Sequence, residues 1–144
     1  MGRVIESKAW RTIETVIMQY PEQSKKLAEL LEDIVYSSGS ESPKTNFDTE
    51  SVKPQSVTEA KAFKLQSKYY KRLESNVNAV KAVYNSLTES ERKVVAIRYW
   101  SDPNRKVPYI NIESGYSERQ MKRIIFKTIY QVGIRIGEIE VKNE

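Results

Sequence analysis

The sequence predicts an all-α protein with an N-terminal αα-hairpin, a flexible linker, a long helix and a C-terminal helix-turn-helix. Three observations lead to this prediction. Apolar side chains recur at helical spacing in successive segments of the 144 residues. Proline, glycine and serine-rich stretches interrupt the pattern between those segments. Two Ser/Thr-x-x-Glu/Gln patterns, which are typical of helix starts, precede the last two long segments.

The first two segments form the predicted hairpin, which we assign to residues 1–36. Apolar positions of the first segment are Ala9, Ile13, Val16, Ile17 and Tyr20. Pro21 ends that helix and suits the first turn of the next one. One face of the second helix carries Leu27, Leu30, Leu31 and Ile34. We interpret the acidic cluster Glu29, Glu32 and Asp33 as a solvated helix face, because no histidine is present to complete a metal or acid–base site.

Residues 37–56 form the predicted linker. This stretch contains six serines, two prolines and one glycine, and it has almost no apolar side chains. Such a composition cannot bury enough surface to offset the entropy of ordering. A long connection without structure also argues for a domain boundary. We therefore assign residues 57–144 to a second domain.

That domain begins with a predicted long helix from about Ser56 to Tyr84, a span without proline or glycine. Its apolar positions are Phe63, Tyr70, Leu73, Val77, Val80 and Tyr84. Its front half carries Lys61, Lys64, Lys68, Lys71 and Arg72. Such a basic stripe usually faces water, but it could also follow phosphates. We interpret the pair Tyr69-Tyr70 as one surface and one core residue in preference to a single-strand stacking site.

The segment from Val107 to Val132 predicts a short helix, a turn and a longer helix. Pro108 opens the short helix, and Gly115 lies where the turn needs a left-handed residue. The preceding helix begins at Thr88, with Glu91 as its capping-box partner. Ser117 caps the longer helix in the same way, with Gln120 as its partner. The buried stripe of that helix is predicted to be Met121, Ile124, Ile125, Ile129 and Val132.

The other face of this last helix is the predicted DNA-binding site. With the cap, its residues are Ser117, Glu118, Arg119, Gln120, Lys122, Arg123 and Lys127. Arginine and lysine bind guanine acceptors in the major groove and glutamine binds adenine. The front of the second helix is the part of a helix-turn-helix that enters the groove. We expect Arg119 and Gln120 to read bases, and Lys122, Arg123 and Lys127 to contact the phosphate backbone.

The amino-acid composition excludes many common types of enzyme active site. The chain contains no cysteine and no histidine, which removes disulfides, thiolate metal sites, the usual general base and the Ser-His-Asp triad. No glycine-rich loop with a following lysine is present. We therefore expect no enzyme, no catalytic residue, no metal and no cofactor. Apolar runs are too short to span a bilayer, and the start MGRVIESKAW lacks the core of a secretory signal, so we expect a cytoplasmic protein without a membrane partner.

Charge is unevenly distributed along the chain, whose formal net charge is +5. Residues 1–55 contain 7 basic and 9 acidic side chains, residues 56–86 contain 6 and 2, and residues 87–144 contain 11 and 8. The basic excess lies in the rear part, which favours a polyanionic partner such as nucleic acid there.

The order of motifs in the rear part resembles promoter-binding region 4 of bacterial sigma-70 factors. Two stretches carry the resemblance, from Leu87 to Tyr99 and from Gly115 to Ile124. Together with the Tyr20-Pro21 corner, the Lys26-Leu27-x-x-Leu30 run and the polar linker, they resemble the RinA family of phage transcriptional activators. Phage regulators of the ArpU type are similar at the C-terminal pattern. Ile125 and Phe126 depart from the sigma pattern, which has basic or polar residues there. This departure suggests extra packing against the long helix or against a second subunit.

The resemblance implies that the chain is a sequence-specific activator of phage late genes in a bacterial host. Its partners would be double-stranded DNA and host RNA polymerase, and the N-terminal hairpin would serve dimerisation or polymerase contact. Two alternatives stay open. One is a small terminase subunit, which would nucleate DNA packaging. The other is an adaptor that binds polymerase or a sigma factor without contacting DNA.

Overall fold

The computed structural model describes residues 4–40 and 67–140, and all regular structure in these ranges is helical. The prediction of an all-α fold is confirmed. In chain order the elements are α1 (Ser7–Met18), α2 (Tyr20–Ser40), α3 (Lys68–Ser86), α4 (Glu89–Trp100), a 3₁₀ turn (Tyr109–Asn111) and α5 (Glu118–Arg135). The predicted linker 37–56 begins inside α2, and its positions 41–56 lie outside the described residues. The front of the predicted long helix, up to residue 66, lies outside them as well.

Contacts divide the chain into two compact units. One consists of Met1–Pro21 with Ser75–Glu144, and the other of Glu22–Glu74. The first unit therefore combines α1 with the rear of α3, with α4 and with α5, although the intervening chain is long. The predicted division into residues 1–36, 37–56 and 57–144 stays a prediction.

The core of the first unit is aliphatic. Ile13 and Ile17 of α1 are completely buried. They join Val94 and Val95 of α4 and the predicted apolar stripe of α5, all of which is buried. Helical spacing in the sequence thus identified the inward faces of α1 and α5, because residues three and four apart lie on one side of a helix.

The helix ends follow local rules as well. Only Gln19 separates α1 from α2, and Pro21 occupies the first turn of α2, where a missing N–H costs no hydrogen bond. Thr88 caps α4: its hydroxyl accepts from the backbone N–H of Glu91 at 3.2 Å, and the Glu91 carboxylate accepts from the Thr88 N–H at 3.0 Å. After α4, the Asp102 carboxylate accepts from the backbone N–H of Asn104 at 2.9 Å, which forms the predicted turn.

The short helix predicted after Pro108 is only a 3₁₀ turn of three residues. Its two hydrogen bonds run from the N–H of Asn111 to the carbonyl of Pro108 and from Ile112 to Tyr109, at 2.9 and 3.0 Å. Ile112 then adopts an extended backbone, which buries its β-branched side chain in the core. Six residues between Pro108 and Gly115 leave no room for an α-helix once Ile112 is extended. The predicted helix-turn-helix geometry therefore stays a prediction.

Two glycines near the end of α5 have different structural roles. A Cβ atom at Gly133 would lie 2.6 Å from the Cδ1 atoms of both Ile13 and Ile139, so a larger residue here would force these two side-chain ends to move. Gly137 has a φ of 83° and follows the helix end, as in an αL C-cap. The Gly-x-x-x-Gly spacing is thus explained by packing and capping.

Candidate nucleic-acid interface

The start of α5 is fixed by a turn and a cap. Gly115 has a φ of 84° in open space, so it serves the backbone turn and no close packing. The Ser117 hydroxyl accepts from the backbone N–H of Gln120 at 3.1 Å, and Gln120 Oε1 accepts from the Ser117 N–H at 2.9 Å. The predicted capping box is confirmed. It fixes the first turn of α5 relative to the residues before it.

The predicted site residues share one exposed face. All of them have exposed side chains: Ser117, Glu118, Arg119, Gln120, Lys122, Arg123 and Lys127. The opposite face is buried from Met121 to Val132. The helix therefore packs against the core on that side and exposes its polar side to solvent. This arrangement is the one a helix needs to enter a groove without unpacking its domain.

Two of the four cations on this face are already paired. Lys122 lies 3.1 Å from the Glu118 carboxylate one turn earlier, an exposed pair of the kind that contributes about 0.3–0.5 kcal/mol. Lys127 lies 3.0 Å from Glu91 of α4. Arg119 and Arg123 form no ion pair with any residue that the structure describes. They are one helical turn apart, so the two free guanidinium groups lie on the same side of α5.

Gln120 has a divided role. Its Oε1 already accepts a hydrogen bond in the capping box, which holds the amide group against the start of the helix. Bidentate recognition of adenine uses both the oxygen and the nitrogen of glutamine in one orientation. Because the cap fixes the orientation of the Gln120 amide, whereas the Arg119 side chain has no ion pair among the described residues, Arg119 is the stronger candidate for reading a base.

Glu91 connects the cap of α4 with the basic face of α5. One carboxylate oxygen accepts from the Thr88 N–H and the other pairs with Lys127. The backbone hydrogen bond from Thr88 lowers the pKa of Glu91 below its ordinary value of 4.5, and Lys127 lowers it further against the opposing effect of burial. Since Lys127 is held by this carboxylate, a phosphate would have to compete for it.

Sequence reasoning missed an arginine–tyrosine contact behind the interface. The Arg98 guanidinium lies 4.0 Å from the centre of the Tyr109 ring, and Lys122 lies 5.8 Å from the same ring. Arg98 Nη1 also donates to the carbonyl of Val107 at 2.9 Å, whose N–H donates back to the Arg98 carbonyl. Burial is the main cause that raises the pKa of Tyr109. Arg98 thus fixes the 3₁₀ turn beside the front of α5.

A second missed contact is a buried polar cluster of Glu14, Tyr99 and Lys106. The Tyr99 hydroxyl donates to Glu14 at 2.7 Å, and Lys106 Nζ lies 2.9 Å from the same carboxylate. Burial, with Glu14 beside it, raises the pKa of Tyr99. More than eighty residues separate Glu14 from its partners, so no spacing in the sequence could indicate this cluster.

The departure from the sigma pattern at Ile125 and Phe126 is explained by α1. Ile125 is buried in the core, and the Phe126 ring centre lies 6.0 Å from that of Trp10. Trp100 packs between Tyr20 and Tyr84, and its indole N–H donates to the carbonyl of Ile17 at 2.7 Å. Both tryptophans therefore anchor α1 and α4 by packing.

The acidic side chains of α2 do not form a metal site. Glu29, Glu32 and Asp33 are exposed, and no group of three acidic side chains in the described ranges is placed to hold a metal ion. No helix in those ranges is long and apolar enough to cross a membrane.

Comparisons with family models, with curated proteins and with solved structures find no match to this chain. The resemblance to RinA-type activators and to sigma region 4 therefore rests on its own residues and stays a prediction.

Proposed function

We propose that the chain binds duplex DNA in a sequence-specific way to regulate transcription, and that the front of α5 reads the DNA. The observation that carries this proposal is the state of Arg119 and Arg123. Both are exposed, both lack an ion pair among the described residues, and both project from a capped helix whose opposite face is buried. A free guanidinium can donate two hydrogen bonds to the N7 and O6 atoms of guanine.

The proposed contacts fall into two classes, those to base edges and those to phosphates. Arg119 would read a base, and Arg123 would contact a base edge or a phosphate. Ser117 and the unpaired N–H groups of the first helical turn would set the register on a phosphate oxygen. Lys122 and Lys127 would contribute less than Arg123, because each must first leave a carboxylate at about 3 Å.

By its resemblance to RinA-type activators, the chain would act on phage genes and would contact host RNA polymerase. The adaptor alternative uses the same cationic face against an acidic protein. The terminase alternative keeps DNA binding but requires assembly into a ring. These alternatives differ from the proposal in measurable ways, namely in base preference and in oligomer mass.

The test begins with selection of bound duplexes from a random pool, read by sequencing. The proposal expects an enriched motif, and it expects Arg119→Ala to weaken binding to that motif by about 1–3 kcal/mol. Arg11→Ala is the matched control, because Arg11 is an exposed arginine of α1 outside the interface.

Three results would decide against the proposal. If no motif is enriched and Arg119→Ala binds random duplex like the wild type, the adaptor alternative is favoured. If Arg11→Ala weakens binding to the same extent as Arg119→Ala, the effect is one of total charge. A ring-sized mass by gel filtration would favour the terminase alternative.

A further inference from the structure

A second cationic surface lies in the compact unit formed by residues 22–74, which does not include α5. We propose that this surface binds the phosphate backbone of duplex DNA as a separate contact without base preference. It consists of Lys26 of α2 and Lys68, Lys71 and Arg72 of α3, grouped around Tyr69. We refer to these five residues as the basic patch.

The cations of α3 share one side of the helix. Positions 68, 71 and 72 are three and four residues apart, so their side chains lie next to one another. All three are exposed. In this first part of α3 the buried residues are Tyr70 and Leu73, which lie on the opposite side of the helix from the three cations. The three charges therefore form a compact, solvent-facing group.

Tyr69 joins the cation of α2 to this group. Lys26 Nζ lies 5.9 Å from the centre of the Tyr69 ring, within cation–π range. Tyr69 is 54% exposed, whereas its neighbour Tyr70 is 7% exposed. The pair divides into one surface and one core residue, as the sequence predicted, and the surface ring places Lys26 at the edge of the α3 cations.

The positive charges of the patch are not neutralised within the described part of the chain. Ion pairs there involve Arg105, Lys106, Lys122 and Lys127, and none involves a patch residue. Acidic residues do occur on the same helices: Glu22, Glu29, Glu32 and Asp33 of α2 and Glu74 of α3. Glu74 interacts with Tyr70, which carries a raised pKa owing first to burial and then to this carboxylate. Clustered like charges repel, so an anion that contacts several of them at once relieves this repulsion.

The chemistry of the patch favours DNA over an acidic protein. Protein interfaces are anchored by apolar and aromatic side chains in desolvated pockets. Within the patch only the Tyr69 ring is a large apolar group, and the other exposed one on the described parts of α2 and α3 is Leu31, at 40% exposure. Binding to a phosphate backbone needs only positive charges at the right spacing, because its affinity comes from counterion release.

The test measures binding of the full chain to a random-sequence duplex over a series of salt concentrations. The patch variant combines Lys68→Gln, Lys71→Gln and Arg72→Gln. The control variant combines Lys8→Gln, Arg11→Gln and Lys81→Gln, which removes the same number of exposed lysines and arginines from outside the patch and outside α5. If all three α3 cations contact phosphates, the patch variant reduces the slope of log Kd against log salt by about two to three. The control leaves the slope close to that of the wild type.

Several outcomes would overturn the inference. One is an unchanged slope in the patch variant, and another is an equal loss in the control. Poly-glutamate serves as a second probe: if the patch variant loses only poly-glutamate binding, the surface serves an acidic protein. Arg119→Ala separates this inference from the proposed function. If the patch variant keeps the wild-type salt slope while Arg119→Ala still weakens binding to the selected motif, only the role of the basic patch is refuted. If the patch variant lowers the slope while Arg119→Ala binds the motif like the wild type, only the role of α5 is refuted.

Discussion

Helices α4 and α5 each carry two arginines in their first ten residues, and the two pairs serve different purposes. In α4, Arg92 donates to the carbonyls of Tyr84 and Asn85 at 3.1 and 3.0 Å, and Arg98 donates to Val107. In α5, Arg119 and Arg123 are exposed and have no ion pair among the described residues. The first pair satisfies chain carbonyls, whereas the second is free for a ligand. Residue type alone does not distinguish them, and the position of nearby acceptors does.

The largest effect expected from this comparison is on stability, at Arg98. Arg98→Ala removes a charged hydrogen bond to Val107 and the contact with Tyr109, and we expect a loss of about 2–3 kcal/mol in the free energy of unfolding. Urea unfolding followed by circular dichroism measures it. Arg98→Lys should recover little, because an ammonium group lacks the planar fork. A loss under about 0.5 kcal/mol, the range of ordinary surface substitutions, would show that Arg98 is no more structural than Arg119.

A somewhat smaller loss is expected at the next residue of α4. Tyr99→Phe keeps the buried ring but removes the hydroxyl that donates to Glu14, and we expect a cost of about 1.5–3 kcal/mol because the acceptor is a carboxylate. The same urea titration measures it, with Tyr84→Phe, at a partly buried position of α3, as the control. Equal stability of Tyr99→Phe and wild type would mean that α1 does not depend on this polar cluster.

The two caps allow a matched test at the helix starts. Ser117→Ala and Thr88→Ala each remove the hydroxyl of a capping box, so each should cost about 1 kcal/mol of stability. Only Ser117→Ala should also weaken binding to the selected duplex, because only α5 is proposed to face DNA. Comparable binding losses in both variants would indicate an effect of stability on binding and would remove the distinction between the two helices.

The smallest effect concerns pH. The folded state lowers the pKa of Glu91 below its ordinary value of 4.5. This residue therefore contributes stability that is fully present above that value and is lost as the pH falls through the folded-state pKa. Glu91→Gln should therefore be slightly less stable than wild type near neutral pH and should approach it in acid. Thermal unfolding between neutral and acidic pH measures the difference. A difference that grows on acidification would contradict the assignment.

Local features of this fold were predictable from the sequence because they depend on neighbours in the chain. The buried stripe of α5, the caps at Thr88 and Ser117 and the left-handed Gly115 each follow from residues within a few positions of one another. The exposure of the predicted site residues follows in turn, because the buried stripe determines which side of the helix faces water.

Features that depend on distant parts of the chain were not predictable. The partners of Glu14 lie more than eighty residues away, and the contact of Arg98 with Tyr109 depends on where the loop after α4 returns. The prediction of a short helix after Pro108 was wrong for the same reason. Its residues have some helical spacing, but Ile112 reaches the core only through an extended backbone.

The direct test of the central claim uses the absence of cysteine from the chain. A Glu118→Cys variant carries a single thiol at the first residue of α5, and a photoreactive group attached there should crosslink to the selected duplex on illumination. The same group on a Thr12→Cys variant, at an exposed position of α1, should not. Crosslinking from α5 alone is the predicted result. Equal crosslinking from both positions, or none from α5 while the duplex is bound, would contradict the claim that the front of α5 lies against DNA.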